Sequence, residues 1–239
     1  MFPPPLVVGF DLDMTLLDTR PGIKATLDAL AARTKTYIDS DLAVTRLGPP
    51  LGTELAQWFS SAQVPEALAI FRELYPTHAV PATIPLPGAI DAVRAVRERE
   101  GRVLVITGKY EPNAKLHLEH ADLQPDVLVG ELWAGEKGAA LKEHGAAVYV
   151  GDHLGDIEGA RVAGACAVAV ATGPYDVTEL REAGADTALA DLTEFPDWLD
   201  THVRSLASDD DSWGSTVAVE GVRPSGRAEA ISLAETRTP

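Results

Sequence analysis

Cysteine is nearly absent from this chain, with Cys166 the single one in 239 residues. One thiol excludes an internal disulfide framework, and a reducing, cytoplasmic setting is the default expectation. Long apolar runs are missing as well. None approaches the ~20 residues that a helix needs to cross a bilayer. The start, Met1-Phe2-Pro3-Pro4-Pro5, has no basic n-region and no cleavage pattern, so no signal peptide is expected. Basic residues are scarce: 20 Lys+Arg stand against 36 Asp+Glu, a formal net charge of −16. Such a surface argues against nonspecific binding of DNA, RNA or an anionic membrane, because these demand basic patches. It leaves room for a small phosphorylated metabolite. A metal ion, a lysine and a few backbone N–H groups can hold one anion inside an acidic protein.

What is present is ordinary for a globular chain, with 46% hydrophobic and 23% charged residues. That is enough for one medium core with a small accessory domain. No internal repeat is seen. Short valine-rich runs at residues 6–10, 103–106, 127–129, 147–150 and 165–170 are each followed by a turn signal and an amphipathic stretch. This rhythm predicts a doubly wound, Rossmann-like α/β core of about five parallel strands with helices on both faces. Sites in such sheets lie at the carboxyl ends of the strands.

Residues 19–86 lack a strand run. Ile23, Leu27 and Leu30 recur at helical spacing, as do Leu51, Leu55, Trp58 and Phe59, then Leu68, Phe71 and Tyr75. The stretch reads as a helical cap inserted after the first strand, with Pro81, Pro85, Pro87 and Gly88 marking its return. The core is then 1–18 with 87–206. From 207 the chain turns acidic at Asp209-Asp210-Asp211 and sustains no apolar period. The tail 207–239 is expected to be disordered, with a weak edge strand around Val217, Val219 and Val222 as the alternative.

Chemistry concentrates at the strand ends. Phe10-Asp11-Leu12-Asp13-Met14-Thr15 follows the first strand directly. Two carboxylates two residues apart point the same way in extended backbone, and they repel unless a cation or a proton intervenes. Magnesium suits hard oxygen ligands and a substrate phosphate. One carboxylate can attack phosphorus while the other handles the leaving-group proton. Taken alone, Asp-x-Asp more often just solvates a turn. A second strand ends in Thr107-Gly108-Lys109, where a hydroxyl and a glycine N–H can meet an anion, or where Thr107 simply caps the next helix. A third ends in Gly151-Asp152-His153-Leu154-Gly155-Asp156, where each aspartate is either a metal-shell residue or a helix cap. Glu136-Lys137-Gly138 opens a helical stretch and supplies a lysine able to offset phosphoryl charge. A solvated surface lysine is the plainer alternative, and Lys109 and Lys142 are rivals for the role.

Together these segments resemble the haloacid dehalogenase superfamily of phosphohydrolases over roughly residues 6–190, with the helical insertion similar to the small cap of its phosphoglycolate phosphatase-like branch. The resemblance implies a phosphatase for small phosphate monoesters that uses Mg2+. Asp11 is then the nucleophile and Asp13 the general acid and base. Thr107, Gly108 and Lys137 hold the phosphoryl group, and Asp11, Asp13 (through its carbonyl), Asp152 and Asp156 form or support the metal shell. Asp13 points away from dehalogenases, which lack this second aspartate. Phosphosugar mutases, which share it, and a catalytically silent binding protein remain as alternatives. Two departures stand out: relatives often have proline after the lysine where this chain has Gly138, and serine or asparagine where it has Gly108.

Other residues carry weaker signals. Arg46 is a candidate to meet a substrate anion, or else a solvated arginine. Cys166 reads as a buried inert thiol, and His153 as an exposed residue beside the site. His117 and His120 sit on a polar helix without a third ligand, which argues against zinc. Trp58 and Trp198 read as packing residues, and Gly173-Pro174-Tyr175 as a loop bordering the site.

Overall fold

A computed structural model describes residues 5–214. The chain opens with β1 (Val7–Phe10), buried along its whole length. A tight loop and the short β2 (Leu17–Asp18) lead into four helices: α1 (Arg20–Thr34), α2 (Ser40–Ala43), α3 (Leu51–Leu55) and α4 (Val64–His78). Return is through β3 (Ile84–Pro85), which pairs antiparallel with β2. The two linkers of the insertion are thus tied to each other.

Strands and helices then alternate: α5 (Ala89–Arg97), β4 (Arg102–Ile106), α6 (Glu111–His120), β5 (Val127–Val129), α7 (Gly135–Glu143), β6 (Val148–Gly151), α8 (Leu154–Ala163), β7 (Cys166–Val170), α9 (Val177–Glu182), β8 (Thr187–Leu189) and α10 (Phe195–Gly214). The main sheet is parallel throughout, in the order β5-β4-β1-β6-β7-β8. From β1 the chain builds outward through β4 and β5 on one side, then through β6, β7 and β8 on the other. The topological switch point therefore falls beside β1, where the carboxyl ends of neighbouring strands leave a crevice.

The doubly wound fold expected from the sequence is present, but with six strands in place of about five. The sixth, β8, is only Thr-Ala-Leu, too short and too poor in valine to stand out as a run. Side chains alternate across the sheet. Val7, Leu104, Ile106 and Tyr149 share one core cluster with Leu141 of α7 and Ile157 of α8. On the opposite phase, Phe10 meets Phe195 edge-on at 5.5 Å between ring centres.

The insertion has a core of its own. Ile23, Leu27 and Leu30 of α1 pack with Leu55, Phe59, Phe71 and Tyr75. Insertion and sheet fall in one compact unit that ends at Asp200. The last helix, α10, continues to Gly214, past the point where a disordered tail was expected to begin. The rest of that tail, with Val217, Val219 and Val222, lies outside the described residues. Among the described residues, no helix is long and apolar enough to cross a membrane.

Candidate active site

The loop after β1 is folded back on itself. Leu16 and Leu17 N–H groups both donate to the Leu12 carbonyl at 3.0 Å, and Met14 N–H donates to Leu17 O at 2.8 Å. Met14 takes a left-handed φ of 58°, rare for a residue with a side chain. Thr172, just after β7, anchors the turn by donating its hydroxyl to Met14 O at 2.5 Å. This knot holds Asp11 and Asp13 at the carboxyl edge of the sheet, at the switch point.

Asp11, Asp152 and Asp156 offer carboxylate oxygens that all lie within 4.8 Å of one another. Each of the three is buried. Lys137, only 1% exposed, places Nζ 3.2 Å from Asp11 Oδ2 and 2.6 Å from Asp156 Oδ1. Thr15 donates to Asp152 Oδ1 at 3.0 Å. Three carboxylates against one ammonium leave an excess of negative charge in a buried site. Burial drives the Asp11 carboxyl up to about 6 despite Lys137, with Asp156 and Asp13 adding to the rise. Burial, then Asp156 and Asp11, push Asp152 well above its ordinary range. Among the described residues, Asp11 Oδ1 is a buried side-chain oxygen without a hydrogen-bond partner. An orphaned hard oxygen inside a crowded carboxylate cluster fits a divalent cation such as magnesium.

Two glycines make room for this crowding. A Cβ at Gly173 would lie 1.9 Å from Asp152 Oδ2, and one at Gly151 would lie 2.3 Å from Asp156 Cγ. Close helix packing matters equally. A Cβ on Gly138 would meet Val162 at 2.5 Å, and one on Gly159 would meet Lys137 Cβ at 3.1 Å. Those bare positions let α7 and α8 approach until Lys137 and Asp156 touch. The glycine after Lys137 thus has a packing role.

Asp13 has a different environment. Its Oδ1 accepts from Thr19 Oγ1 at 2.5 Å and from Lys109 Nζ at 2.6 Å. Burial alone would raise its pKa, but the charge and hydrogen bond of Lys109, with Thr19, outweigh it and hold Asp13 below the ordinary value. Lys109 lies 4.9 Å from the ring centre of Tyr75, which comes from α4 of the insertion. Tyr75 OH in turn meets His117 Nε2 at 2.9 Å. His117 is fully buried, and burial foremost drives its pKa down to about 3. It does not lie on a polar surface as its helix suggested, because the insertion covers it.

The remaining candidates are placed as follows. Thr107 is buried beside the cluster, and its hydroxyl accepts from Lys109 N–H at 3.2 Å. It does not cap α6, whose N-cap is Tyr110. Gly108 lines the same cavity. Asp156 is both a member of the cluster and a capping-box residue of α8, accepting from His153 N–H at 3.1 Å. His153, expected exposed, is half-buried: it is the N-cap of α8 and lies between Trp133 and Tyr175, with ring centres at 5.0 and 5.1 Å. Arg46 lines the cavity but is held by Glu54. Lys142 is exposed, away from the cluster. Cys166 is partly buried, its thiol raised to about 11 by burial and by Asp186, which suits an inert group. Trp58 and Trp198 donate to Glu54 and Thr187 at 3.0 and 3.1 Å.

Sequence reading missed Thr15, Thr19, Trp133 and Tyr149, whose hydroxyl lies 2.7 Å from Ile106 O and 3.3 Å from Asp156 Oδ1. Thr15 had a signal, standing inside the first motif. Trp133 had one too, an aromatic in a polar stretch just past a strand end. Thr19 and Tyr149 had none, since their partners are distant or depend on the loop's knot.

Known proteins resemble this chain in sequence and fold. The family model for haloacid dehalogenase-like hydrolases matches residues 8–170. A phosphoglycolate phosphatase from Caulobacter vibrioides is 26% identical over 213 residues, covering 79% of this chain and 88% of the relative. Another from Rhodospirillum rubrum is 29% identical over 220 residues, covering 82% and 91%. Among solved structures, a haloacid dehalogenase-like hydrolase from Streptococcus pneumoniae superposes with a TM-score of 0.72 at 23% identity, covering 82% of this chain and 98% of the other. The matched segment carries the ends of β1, β4 and β6, where Asp11, Thr107 and Asp152 stand. Because the family model spans more than half of the sequence, the chain belongs to the haloacid dehalogenase-like hydrolase family.

Proposed function

We propose that this hydrolase is a magnesium-dependent phosphatase acting on a small phosphate monoester through a phosphorylated Asp11. The observation that carries the reading is the buried cluster of Asp11, Asp152 and Asp156 around Lys137, with Asp11 Oδ1 left unpartnered. The two relatives named as phosphoglycolate phosphatases support phosphate-monoester hydrolysis, without fixing the alcohol.

The residues take these parts. An oxygen of Asp11 attacks phosphorus, and the bond from phosphorus to the ester oxygen breaks. Asp13 gives its proton to the departing alkoxide. Water then attacks the aspartyl-phosphate, Asp13 takes the proton back, and inorganic phosphate and free Asp11 are regenerated. Thr107, the Gly108 N–H and Lys137 hold the transferring group, where fixed donors in a dry site act with little reorganisation. The Asp11, Asp152 and Asp156 carboxylates, with the Asp13 carbonyl, would hold magnesium. Its chemistry when bound is to offset the charge of nucleophile and phosphoryl group.

Turnover of p-nitrophenyl phosphate is expected with magnesium, to vanish with EDTA, and to fall by ~10³-fold or more in Asp11→Asn. Equal rates in wild type and Asp11→Asn would refute the proposal.

A further inference from the structure

The cavity above the carboxylates has a volume of about 620 Å³. That falls within the range of pockets that enclose drug-sized ligands. A phosphorylated two-carbon acid would fill a small part of it. Its lining includes the apolar side chains of Leu47, Leu51, Leu68 and Phe71 from the insertion, with Trp133 from the core.

The charges lining it are already satisfied. Arg46 donates through Nε and Nη2 to both oxygens of Glu54, at 2.8 and 2.9 Å. Arg72 pairs with Glu131 at 2.7 Å and stacks 3.8 Å above the Tyr110 ring. Lys109 is bound to Asp13 at 2.6 Å. So each of the three cations that line the cavity carries its own carboxylate, and Glu136 adds a further negative charge at the rim. A carboxylate on the substrate would meet cations whose charge is already offset, close to Glu54, Glu131 and Glu136, and would be desolvated against apolar side chains.

Resting on the phosphatase reading above, we propose that the ester accepted here has an apolar alcohol as its leaving group, an alkyl or arylalkyl phosphate without a second anionic group. Leu47, Leu51, Leu68 and Phe71 set that preference, and the Arg46–Glu54 pair enforces the rejection of acids.

The test is a set of esters of primary alcohols, so that leaving-group chemistry changes little: ethyl, butyl and hexyl phosphate, phosphoglycolate, and the six-carbon phosphate ester bearing a terminal carboxylate. The expected result is a rise in kcat/KM of about fourfold per methylene from ethyl to hexyl. Hexyl phosphate should exceed both acids by about tenfold or more. Leu68→Asp should flatten the chain-length dependence. Glu54→Gln, which releases Arg46, should narrow the gap between hexyl phosphate and its carboxylate analogue. A flat alkyl series alongside turnover of p-nitrophenyl phosphate, or phosphoglycolate equal to or better than hexyl phosphate, would overturn this inference while leaving the phosphatase intact. No turnover of any ester would instead overturn the phosphatase reading, and this one with it.

Discussion

Lys137 and Lys109 approach the two carboxylates of one loop from different sides, and their surroundings are unlike. Lys137 comes from a core helix and faces Asp11 and Asp156 in a cluster with more negative than positive charge. Lys109 follows a core strand, faces Asp13 alone, and lies under a tyrosine of the insertion. The first pairing leaves an excess of negative charge, which a divalent cation would offset. The second is neutral as it stands. It holds the carboxylate proposed to move protons in its ionised form, so substrate must loosen that grip before Asp13 can act as an acid.

Removing each lysine would break the comparison. Lys137→Met should have the largest effect. It leaves buried carboxylates uncompensated, at a cost of about 3–5 kcal/mol, and also removes turnover. Urea midpoints at pH 7 and p-nitrophenyl phosphate rates would measure both, and a midpoint within error of wild type would contradict it.

Asp11→Asn tests the same cluster from the opposite charge. Its folded pKa, about 6, lies above the unfolded 3.8, so this carboxyl costs stability progressively as pH rises from 3.8, and in full above about 6. With EDTA present, the amide should therefore stabilise the fold by about 1–3 kcal/mol at pH 7, since one pKa unit corresponds to ~1.4 kcal/mol, even as activity is lost.

Lys109→Met should cost less stability than Lys137→Met, because Asp13 is part-exposed and keeps Thr19. Its signature is in the pH profile. With Lys109 gone the Asp13 pKa rises, and the alkaline limb of kcat/KM for p-nitrophenyl phosphate should move to higher pH. An unmoved limb would separate Lys109 from proton transfer.

The smallest effect concerns His117 at the junction of insertion and core. Its folded pKa, about 3, is below the unfolded 6.5. Below pH 6.5 the unfolded chain binds the extra proton, so this contribution to stability is present above 6.5 and is lost as pH falls toward 3. His117→Gln should have a shallower loss of stability across that window. Parallel slopes would show that other groups govern the acid limb.

Much of the core was legible because it is local. Valine-rich runs of three to six residues, each followed by an amphipathic stretch, fit strands buried on both faces of a parallel sheet, and aspartates placed straight after such runs land at its carboxyl edge. Short β8 escaped notice because Thr-Ala-Leu carries too little β-branched signal. The insertion showed itself through helical spacing, yet nothing in the sequence indicated that Tyr75 would cover His117 and reach Lys109. His153 was misjudged for the same reason: its burial comes from Trp133 and Tyr175, which are 20 or more residues away in the chain.

By itself the sequence determined the order of strands and helices and the presence of the aspartates, since periodicity and strand ends are properties of neighbours along the chain. Only tertiary structure decided which lysine meets which carboxylate. Lys137 reaches Asp156 because Gly138 and Gly159 let two helices close on each other, and Lys109 reaches Asp13 because the loop after β1 is knotted toward it. Electrostatic partners inside a protein are chosen by distance and desolvation, and both are fixed only once distant segments have packed.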